Sequence, residues 1–260
     1  MPDYIDQTGQ PVHIQANPAR IISLVPSQTE LLADLGLDEE VIGITKFCIH
    51  PDRWFRQKTR IGGTKQLNTD LIRGLQPDLI IANKEENLKE QIVLLREEYP
   101  VWVSDIATLE DSLRMIRTIG QITNRKEQAE NITSRIEEGF AALAPPSIRS
   151  NCIYLIWNNP YMTIGGDTFI HHMLEKAGFQ NCFAEKTRYP EVSPGQIKEL
   201  SPDYLLLSSE PFPFAQRHAD ELQVQLPDTK VVLVDGEMFS WYGSRLLKAP
   251  GYFAGLRSSM

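Results

Sequence analysis

Cysteines and long apolar segments are scarce in this chain. Its 260 residues contain three cysteines, Cys48, Cys152 and Cys182, and no pair of them has Cys-x-x-Cys spacing. An odd number without that spacing excludes a disulfide framework and a structural zinc site. No apolar run approaches the ~18 residues that a membrane-spanning helix requires. The sequence therefore predicts a protein without a membrane span.

Positive charge is also in deficit. The 26 lysines and arginines are outnumbered by 34 aspartates and glutamates, which gives a formal net charge of -8. Because nucleic-acid binding needs a basic surface to contact phosphates, we expect no nucleic-acid partner. The first ten residues, MPDYIDQTGQ, lack the basic and apolar parts of a secretory signal. The sequence as printed thus predicts a cytoplasmic protein, and a periplasmic one if a leader has been removed.

Short apolar runs alternate along the chain with amphipathic segments of helical length. This alternation predicts an α/β fold with mostly parallel sheets covered by helices. The predicted strands are residues 21–25, 41–45, 78–82, 101–103, 152–157, 204–207 and 231–234. The predicted helices are residues 27–35, 68–75, 87–98, 108–119, 169–176, 193–200, 216–226 and 242–256.

Two parts of the sequence resemble each other. Leu75-Gln-Pro-Asp precedes an apolar run, and Leu200-Ser-Pro-Asp precedes another one 125 residues later. Upstream, Arg20-Ile-Ile-Ser-Leu has a counterpart in Cys152-Ile-Tyr-Leu-Ile. Self-similarity in a fixed order indicates duplicated units, and these units are long enough to form one lobe each. We therefore expect two similar α/β lobes.

A long helix is predicted between the two similar parts, over residues 124–143. Asn124 is the predicted N-cap, and Pro145-Pro146 is the predicted stop because proline cannot extend a helix. The apolar stripe of this helix consists of Ile132, Ile136, Phe140 and Leu143. We expect an N-terminal lobe over 1–123, a connecting backbone helix over 124–143, a C-terminal lobe over 144–260, and a ligand cleft between the lobes.

Ligands of open α/β sheets bind at the carboxyl ends of the strands. Aromatic, histidine and carboxylate side chains follow several predicted strands and can stack on a flat ligand or supply charge. The candidates found in this way are Phe47, His50, Trp157, Glu210, Glu237, Trp241 and Tyr242.

Alternative interpretations stay open for each of these positions. Cys48 and His50 could share a metal ion, or they could be a buried cysteine and a turn residue before Pro51. Trp157, Trp241 and Tyr242 could face a ligand or pack inside the fold. Glu210, with Glu85 and Glu86, could bind a cation, act in acid–base chemistry or be a solvated loop charge.

Several segments together resemble a known family. They are RIISLVPSQTELLADLGL, a GGT turn followed by NTDLIRGLQPDLIIA, the mid-chain helix, and RYPEVSPGQIKELSPDYLLLSS. In order and spacing they resemble the helical-backbone periplasmic binding proteins, the receptors of ABC importers for cobalamin, haem and ferric siderophores. The resemblance covers roughly residues 20–256, and the cobalamin-binding branch is the most similar.

The resemblance implies roles for further residues. Phe47 matches a family tyrosine, and Tyr189 matches a family tryptophan that contacts the corrin ring. Asp70 matches the carboxylate by which the N-terminal lobe grips the transporter. Gly195 stands at the matching place in the C-terminal lobe, so the usual two-carboxylate contact with an ABC permease is incomplete.

We therefore predict a monomeric binding protein, not an enzyme, that holds a metal chelate in an inter-lobe cleft. A cobalamin- or haem-like ligand is expected, but its identity is open, and no catalytic residue or metal ligand is assigned. The alternatives are a free metal-ion binding protein that uses Cys48, His50 and carboxylates of the C-terminal lobe, and a cytoplasmic enzyme that acts in the same cleft through His50, Glu210 or Glu237.

Overall fold

We describe the chain from a computed structural model, over residues 3–14, 16–144 and 149–260. The chain forms two compact units. The first comprises Met1–Ile106, Glu110–Arg135 and Tyr242–Arg245, and the second comprises Ala107–Leu109, Ile136–Trp241 and Leu246–Met260. The boundaries 1–123, 124–143 and 144–260 stay a prediction, because compactness does not show which segments fold independently.

The strands of the first unit are β1 (Asp3–Ile5), β2 (Pro11–His13), β3 (Ile21–Ser23), β4 (Val41–Ile44), β5 (Thr59–Arg60), β6 (Gly62–Gly63), β7 (Gln66–Leu67), β8 (Leu79–Asn83) and β9 (Val101–Ser104). Five of them form a parallel sheet with the order β5-β4-β3-β8-β9. Its helices are α1 (Pro26–Asp34), α2 (Asp52–Gln57), α3 (Thr69–Leu75), α4 (Lys89–Arg96), α5 (Leu109–Ile122) and the first part of α6 (Lys126–Ala142).

The strands of the second unit are β10 (Ser150–Leu155), β11 (Trp157–Asn158), β12 (Tyr161–Met162), β13 (Phe179–Asn181), β14 (Tyr204–Ser208) and β15 (Lys230–Val234). Four of them form a parallel sheet with the order β13-β10-β14-β15. Its helices are α7 (Phe169–Lys176), α8 (Pro194–Leu200), α9 (Gln216–Gln225), α10 (Glu237–Ser240) and α11 (Ala249–Ser259).

The predicted duplication is confirmed by the order of these elements. Within their own sheets, β4, β3, β8 and β9 have the same order as β13, β10, β14 and β15. Helices α1, α3 and α4 take the same places in the chain as α7, α8 and α9. The α/β fold class with parallel sheets, predicted from the alternation of short apolar runs and helical segments, is therefore correct.

The repeated Pro-Asp turns share their local chemistry. Gln76 and Ser201 end α3 and α8 in the left-handed region, at φ values of 46° and 43°. The Asp78 carboxylate accepts from the backbone N–H of Arg20 at 2.8 Å, and the Asp203 carboxylate accepts from that of Asn151 at 2.7 Å. Each aspartate thus ties the start of one strand to the start of its neighbour.

The central strands are buried on both faces. All residues of β3, β8 and β9 are buried in the first unit, which explains their continuous apolar sequences. In the second unit, the core side chains of the sheet pack against α8 and α9. This core includes Ile153, Leu155, Leu205 and Leu207 from the sheet, Ile197 from α8 and Leu222 from α9.

The mid-chain helix is present, but it begins later than predicted. Asn124 is not its N-cap, because this residue has a φ of 55° and ends the preceding helix α5. The Arg125 N–H donates to Gly120 O at 2.7 Å, and the Asn124 N–H donates to Gln121 O at 3.4 Å. These two bonds are those of a Schellman motif. The predicted stop, Pro145-Pro146, lies outside the described residues.

Gly120 allows α5 and α6 to approach closely within the first unit. A Cβ added at Gly120 would lie 2.3 Å from the Cβ of Ala129 and 3.1 Å from Arg125 O. No other amino acid fits there without displacing one of the helices. The start of α6 is therefore positioned by a backbone-to-methyl contact.

The C-terminal helix predicted over 242–256 is interrupted. A short 3-10 helix over Ser244–Leu247 precedes α11, and Tyr242–Arg245 belongs to the first unit. Arg245 in this segment forms a bidentate ion pair, with Nε and Nη2 each 2.9 Å from the Glu30 carboxylate. Their side chains are only 8% and 12% exposed. Sequence patterns do not show such a distant pair, nor the short elements α2, β5, β13 and α10.

Replacement of Gly120 by alanine should destabilise the protein. The new methyl group overpacks the α5–α6 contact, at a cost of about 1–3 kcal/mol. The higher helix propensity of alanine offsets only about 0.5–1 kcal/mol of this. Urea unfolding should therefore show a lower midpoint for Gly120→Ala than for the native chain.

Gly74→Ala is the matched control, because Gly74 lies in α3 with no atom within 4 Å of an added Cβ. This variant should keep or raise the urea midpoint. A Gly120→Ala midpoint equal to that of Gly74→Ala would contradict the close helix contact.

Candidate functional site

One exposed candidate ring, Trp157, lies just after β10 in the second unit. Trp157 is 40% exposed, whereas the other three tryptophans are buried. It begins the β11–β12 hairpin, in which Trp157 pairs with Met162. Because the hairpin follows the carboxyl end of a central strand, the indole stands where open α/β sheets bind ligands.

Phe212 adds a second ring to this surface. Its centroid lies 5.9 Å from that of Trp157, at an interplanar angle of 69°. Phe212 in turn contacts Phe214 and His218 edge-on. Analysis of the sequence missed Phe212, although the Pro-Phe-Pro-Phe run directly after β14 is an unusual local concentration of rigid apolar residues. Trp157 and Phe212 together form an apolar surface suited to a flat ligand.

Glu210 and Trp241 are brought together in the second unit. The Trp241 indole Nε1–H donates to Glu210 Oε1 at 2.9 Å, and the Ser240 hydroxyl donates to the same oxygen. Gly236 makes room for this arrangement, since an added Cβ would lie 2.7 Å from Glu210 Cγ. The carboxylate is thus held by two residues at the carboxyl end of α10.

Burial raises the pKa of the Glu210 carboxyl above its ordinary value. The negative charges of Glu237 and Asp235 act in the same direction, while the hydrogen bonds from Ser240 and Trp241 oppose it. Desolvation is the largest cause because it penalises the ionised form. Glu210 therefore takes up a proton at a higher pH than an exposed glutamate does.

Trp241 requires a correction to its expected role. Only 6% of it is exposed, so its ring offers little surface for stacking on a ligand. Instead, its N–H satisfies the Glu210 carboxylate. Glu237 is half-buried at the start of α10. We therefore assign Trp241 to positioning Glu210 rather than to contacting a ligand face.

Tyr242 is also buried, and it belongs to the first unit. It is 6% exposed, and its hydroxyl donates to Glu86 Oε1 at 3.2 Å. Burial raises the pKa of the Tyr242 phenol, and the negative charge of Glu86 adds to this. The tyrosine therefore stays protonated at neutral pH and orders the loop after β8, in place of the stacking role expected from the sequence.

Phe47 lies in the loop after β4 and is 51% exposed. Lys46 Nζ lies 5.1 Å from the centroid of the Phe47 ring, a cation–π distance. A Cβ added at Gly63 would lie 3.1 Å from Phe47 Cε2, so the turn residue Gly63 leaves space beside the ring. The first unit therefore presents one aromatic face at the carboxyl edge of its sheet.

The burial of Cys48 disfavours the interpretation that Cys48 and His50 share a metal ion. Cys48 is fully buried, and the hydroxyls of Thr29 and Thr45 each lie 3.1 Å from its Sγ. Burial raises the pKa of the Cys48 thiol to about 11, so the thiol is protonated at neutral pH. A metal ligand must be a thiolate. His50 is half-buried just before α2, and its role as a ligand contact stays a prediction.

Tyr189 lies in the loop before α8 and is half-buried. The Arg188 guanidinium lies 5.5 Å from the centroid of its ring, and Arg188 Nη1 lies 3.8 Å from the Asp167 carboxylate. The tyrosine ring is therefore partly covered by a neighbouring cation. These distances do not test the predicted contact of Tyr189 with a ligand.

Asp70 and Gly195 occupy equivalent places near the starts of α3 and α8. The Asp70 side chain is 92% exposed, and Arg73 Nη1 lies 3.3 Å away. Arg73 is held more closely by Glu98, at 2.7 Å. The first unit thus offers an available carboxylate, whereas Gly195 and the capping residue Gln196 offer no charge.

Within the described stretches, no three or more histidine, cysteine, aspartate or glutamate side chains are grouped so that they could hold a metal ion. In the same stretches, none of the helices combines the length and the apolar character needed to cross a bilayer.

Two duplicated α/β units with aromatic side chains at the carboxyl ends of their parallel strands define a solute-binding protein. The chain belongs to the periplasmic binding protein family, whose model matches residues 21–226. Members of this family bind solutes and are not enzymes, so the chain is a ligand-binding protein.

Two curated relatives illustrate this membership. One is the vitamin B12-binding protein of Pectobacterium carotovorum subsp. carotovorum, 25% identical over 242 residues, or 90% of this chain and 86% of the relative. The other is an uncharacterized ABC transporter substrate-binding lipoprotein, YvrC, of Bacillus subtilis. It is 24% identical over 217 residues, or 77% of this chain and 67% of the relative.

Solved structures show the same fold. The periplasmic vitamin B12-binding protein BtuF of Vibrio cholerae has a TM-score of 0.78 and 20% identity, over 94% of this chain and 98% of that chain. Other solved proteins of this fold are named for haem, Fe3+-hydroxamate and molybdate. The fold is thus shared by receptors of several ligands and does not by itself select one.

The pH dependence of stability should report the burial of Glu210. Since the folded state binds this proton more tightly than the unfolded chain, the contribution of Glu210 falls as pH rises from about 4.3, the ordinary pKa, through the raised folded pKa. Glu210→Gln removes the charge, and its amide oxygen can still accept from Ser240 and Trp241. We expect Glu210→Gln to match or exceed the native free energy of unfolding at pH 8.

Glu210→Ala should instead lose about 1–3 kcal/mol, because the buried Trp241 N–H is left without an acceptor. Urea unfolding at pH 5 and pH 8 distinguishes the variants, with the exposed Glu199→Gln as control. An equal loss in the glutamine and alanine variants at pH 8 would show that the fold needs the charge itself.

Proposed function

We propose that the chain binds a metal chelate of the cobalamin, haem or siderophore kind. The observation that carries the proposal is the exposed Trp157–Phe212 surface after the central strand of the second sheet. Macrocyclic chelates present large flat faces, and indole and phenyl rings bind such faces by stacking. The names of relatives and solved neighbours, which include vitamin B12, haem and Fe3+-hydroxamate, support this ligand class.

The remaining candidates supply contacts of other kinds. Phe47 offers a ring on the first unit, while His50, Tyr189 and Glu237 offer polar groups near strand ends or in neighbouring loops. Glu210 is the best-ordered polar group, since two donors hold its carboxylate. The inter-lobe position of the site and the monomeric state stay predictions from the sequence.

Trp157→Ala should weaken chelate binding. Removing a stacking ring costs about 0.5–1.5 kcal/mol, beyond the lost apolar contact. Cyanocobalamin, haemin and a ferric hydroxamate are titrated separately into the purified chain, and binding is followed by visible absorbance. At least one of them should bind saturably to the native chain and less tightly to Trp157→Ala.

The matched control is Trp54→Phe, because Trp54 is buried in α2 and donates its N–H to Asp38 at 2.7 Å. This variant should keep the native affinity. If Trp157→Ala is folded and binds all ligands as the native chain does, Trp157 is not part of the site. If no chelate binds the native chain, the proposed ligand class is wrong.

We also propose that the chain does not grip an ABC permease through one carboxylate on each unit. Asp70 is available on α3, but α8 has Gly195 at the equivalent place. A single exposed ion pair contributes at most about 1 kcal/mol, too little to hold a complex. Pull-downs from detergent-solubilised source membranes should therefore recover the same proteins with the native chain and with Asp70→Ala.

Gly195→Glu is the complementary variant, since an added Cβ there meets nothing closer than Ser193 Oγ at 3.8 Å. It restores a carboxylate without strain and should increase recovery of a permease. Recovery by the native chain that is lost in Asp70→Ala would contradict the proposal and indicate the importer contact of the family.

We propose that the chain works outside the cytoplasm. In support, one solved structure of this fold is named as a periplasmic vitamin B12-binding protein, and one relative is named as a substrate-binding lipoprotein of an ABC transporter. The alternative is a cytoplasmic protein. Fractionation of the source cells with an antibody to this chain distinguishes the two compartments.

A further inference from the structure

A second concave surface lies in the second unit, beside the β11–β12 hairpin. Its volume is about 480 Å³, and it is lined by Asn158, Asn159, Pro160, Tyr161, Glu191, Val192, Ser193, Pro194 and Gln196. Ligand pockets of proteins commonly enclose ~300–1,000 Å³. The cavity is therefore large enough for a small organic molecule.

The cavity is separate from the Trp157–Phe212 surface. In the hairpin, Trp157 pairs with Met162, and Asn158 pairs with Tyr161. Successive side chains of a strand point to opposite faces. Asn158 and Tyr161 therefore face the cavity, while Trp157 faces away from it toward Phe212. An isolated bridge between Met162 and Glu191 fixes the opposite wall against the hairpin.

The polar groups of the cavity include several acceptors. In the described part of the chain, the side chains of Asn158, Asn159, Tyr161 and Glu191 form no hydrogen bond or ion pair with other protein groups. By contrast, Ser193 and Gln196 are engaged with each other in the capping box of α8. The free acceptors are thus two amide oxygens, a phenol oxygen and a carboxylate.

The charge of the cavity is negative. Glu191 is the one ionisable carboxylate among the described lining residues, which include no lysine or arginine. The Glu191 carboxylate therefore makes the cavity favour a cation over an anion.

We propose that this cavity binds the guanidinium group of a small alkylguanidine. A guanidinium is planar and carries N–H donors in a fixed fork, two of which match a carboxylate bidentately. Glu191 takes that pair, and the oxygens of Asn158, Asn159 and Tyr161 accept the remaining donors. Pro160, Val192 and Pro194 provide an apolar wall for the alkyl chain. This site does not depend on the chelate-binding function proposed above.

The test is isothermal titration calorimetry of butylguanidinium into the full chain at low ionic strength. The native chain should bind it at one saturable site, and Glu191→Gln should bind up to about fivefold more weakly because one exposed charged pair is lost. Glu199→Gln is the matched control, since Glu199 is an exposed carboxylate on α8 outside the cavity. This control should bind like the native chain.

Two further arms sharpen the result. Butylammonium has the same chain but a point charge, so it should bind several-fold more weakly than butylguanidinium. A blocked tripeptide with a central arginine shows whether a protein side chain or a free compound is the better source of the group.

Asn158→Ala should also weaken binding while leaving the circular dichroism spectrum unchanged. Absence of saturable binding to the native chain, or equal binding by folded Glu191→Gln, overturns the proposal.

Discussion

A parallel sheet must be covered on both faces, and the rest of this structure depends on that constraint. Every connection between neighbouring strands crosses a face of the sheet, so helices bury the apolar side chains and strand ends collect at one edge. In the first unit, β3, β8 and β9 are buried throughout. Polar and aromatic side chains that could not be buried there therefore appear after the strands, where the candidate site lies.

The duplication is kept where the sheet imposes it and lost where it does not. The left-handed residues Gln76 and Ser201 and the carboxylates Asp78 and Asp203 serve the same strand starts in both units. At the carboxyl ends, equivalent positions differ. Asn83 accepts from the N–H groups of Glu85 and Glu86, whereas Ser208 donates to Glu210 O. Each unit thus has its own binding chemistry on a shared scaffold.

The carboxylates of Glu30 and Glu210 are held by partners of different charge. Arg245 and Glu30 form a buried bidentate pair, so removing either partner would deprive a buried charge of its bidentate counter-ion. Glu210 is less completely neutralised, because its partners Ser240 and Trp241 are uncharged. Burial raises the pKa of Glu210, and these hydrogen bonds only partly oppose the shift.

Sequence periodicity by itself determined the two parallel sheets, their duplication and the existence of the mid-chain helix. Short apolar runs between amphipathic segments have few other solutions, and the Pro-Asp turns align the two units. The strand ends also indicated Trp157 and Phe47, since large rings directly after buried strands are exposed by the topology.

Only the tertiary structure decided which of the remaining candidates are accessible. Trp241 and Tyr242 are as aromatic as Trp157, but Glu210 and Glu86 bind their polar atoms and the fold buries their rings. Cys48 is enclosed by the hydroxyls of Thr29 and Thr45, which no sequence pattern marks as its partners. Burial and hydrogen bonding depend on residues far apart in the chain, and a local pattern contains no information about those partners.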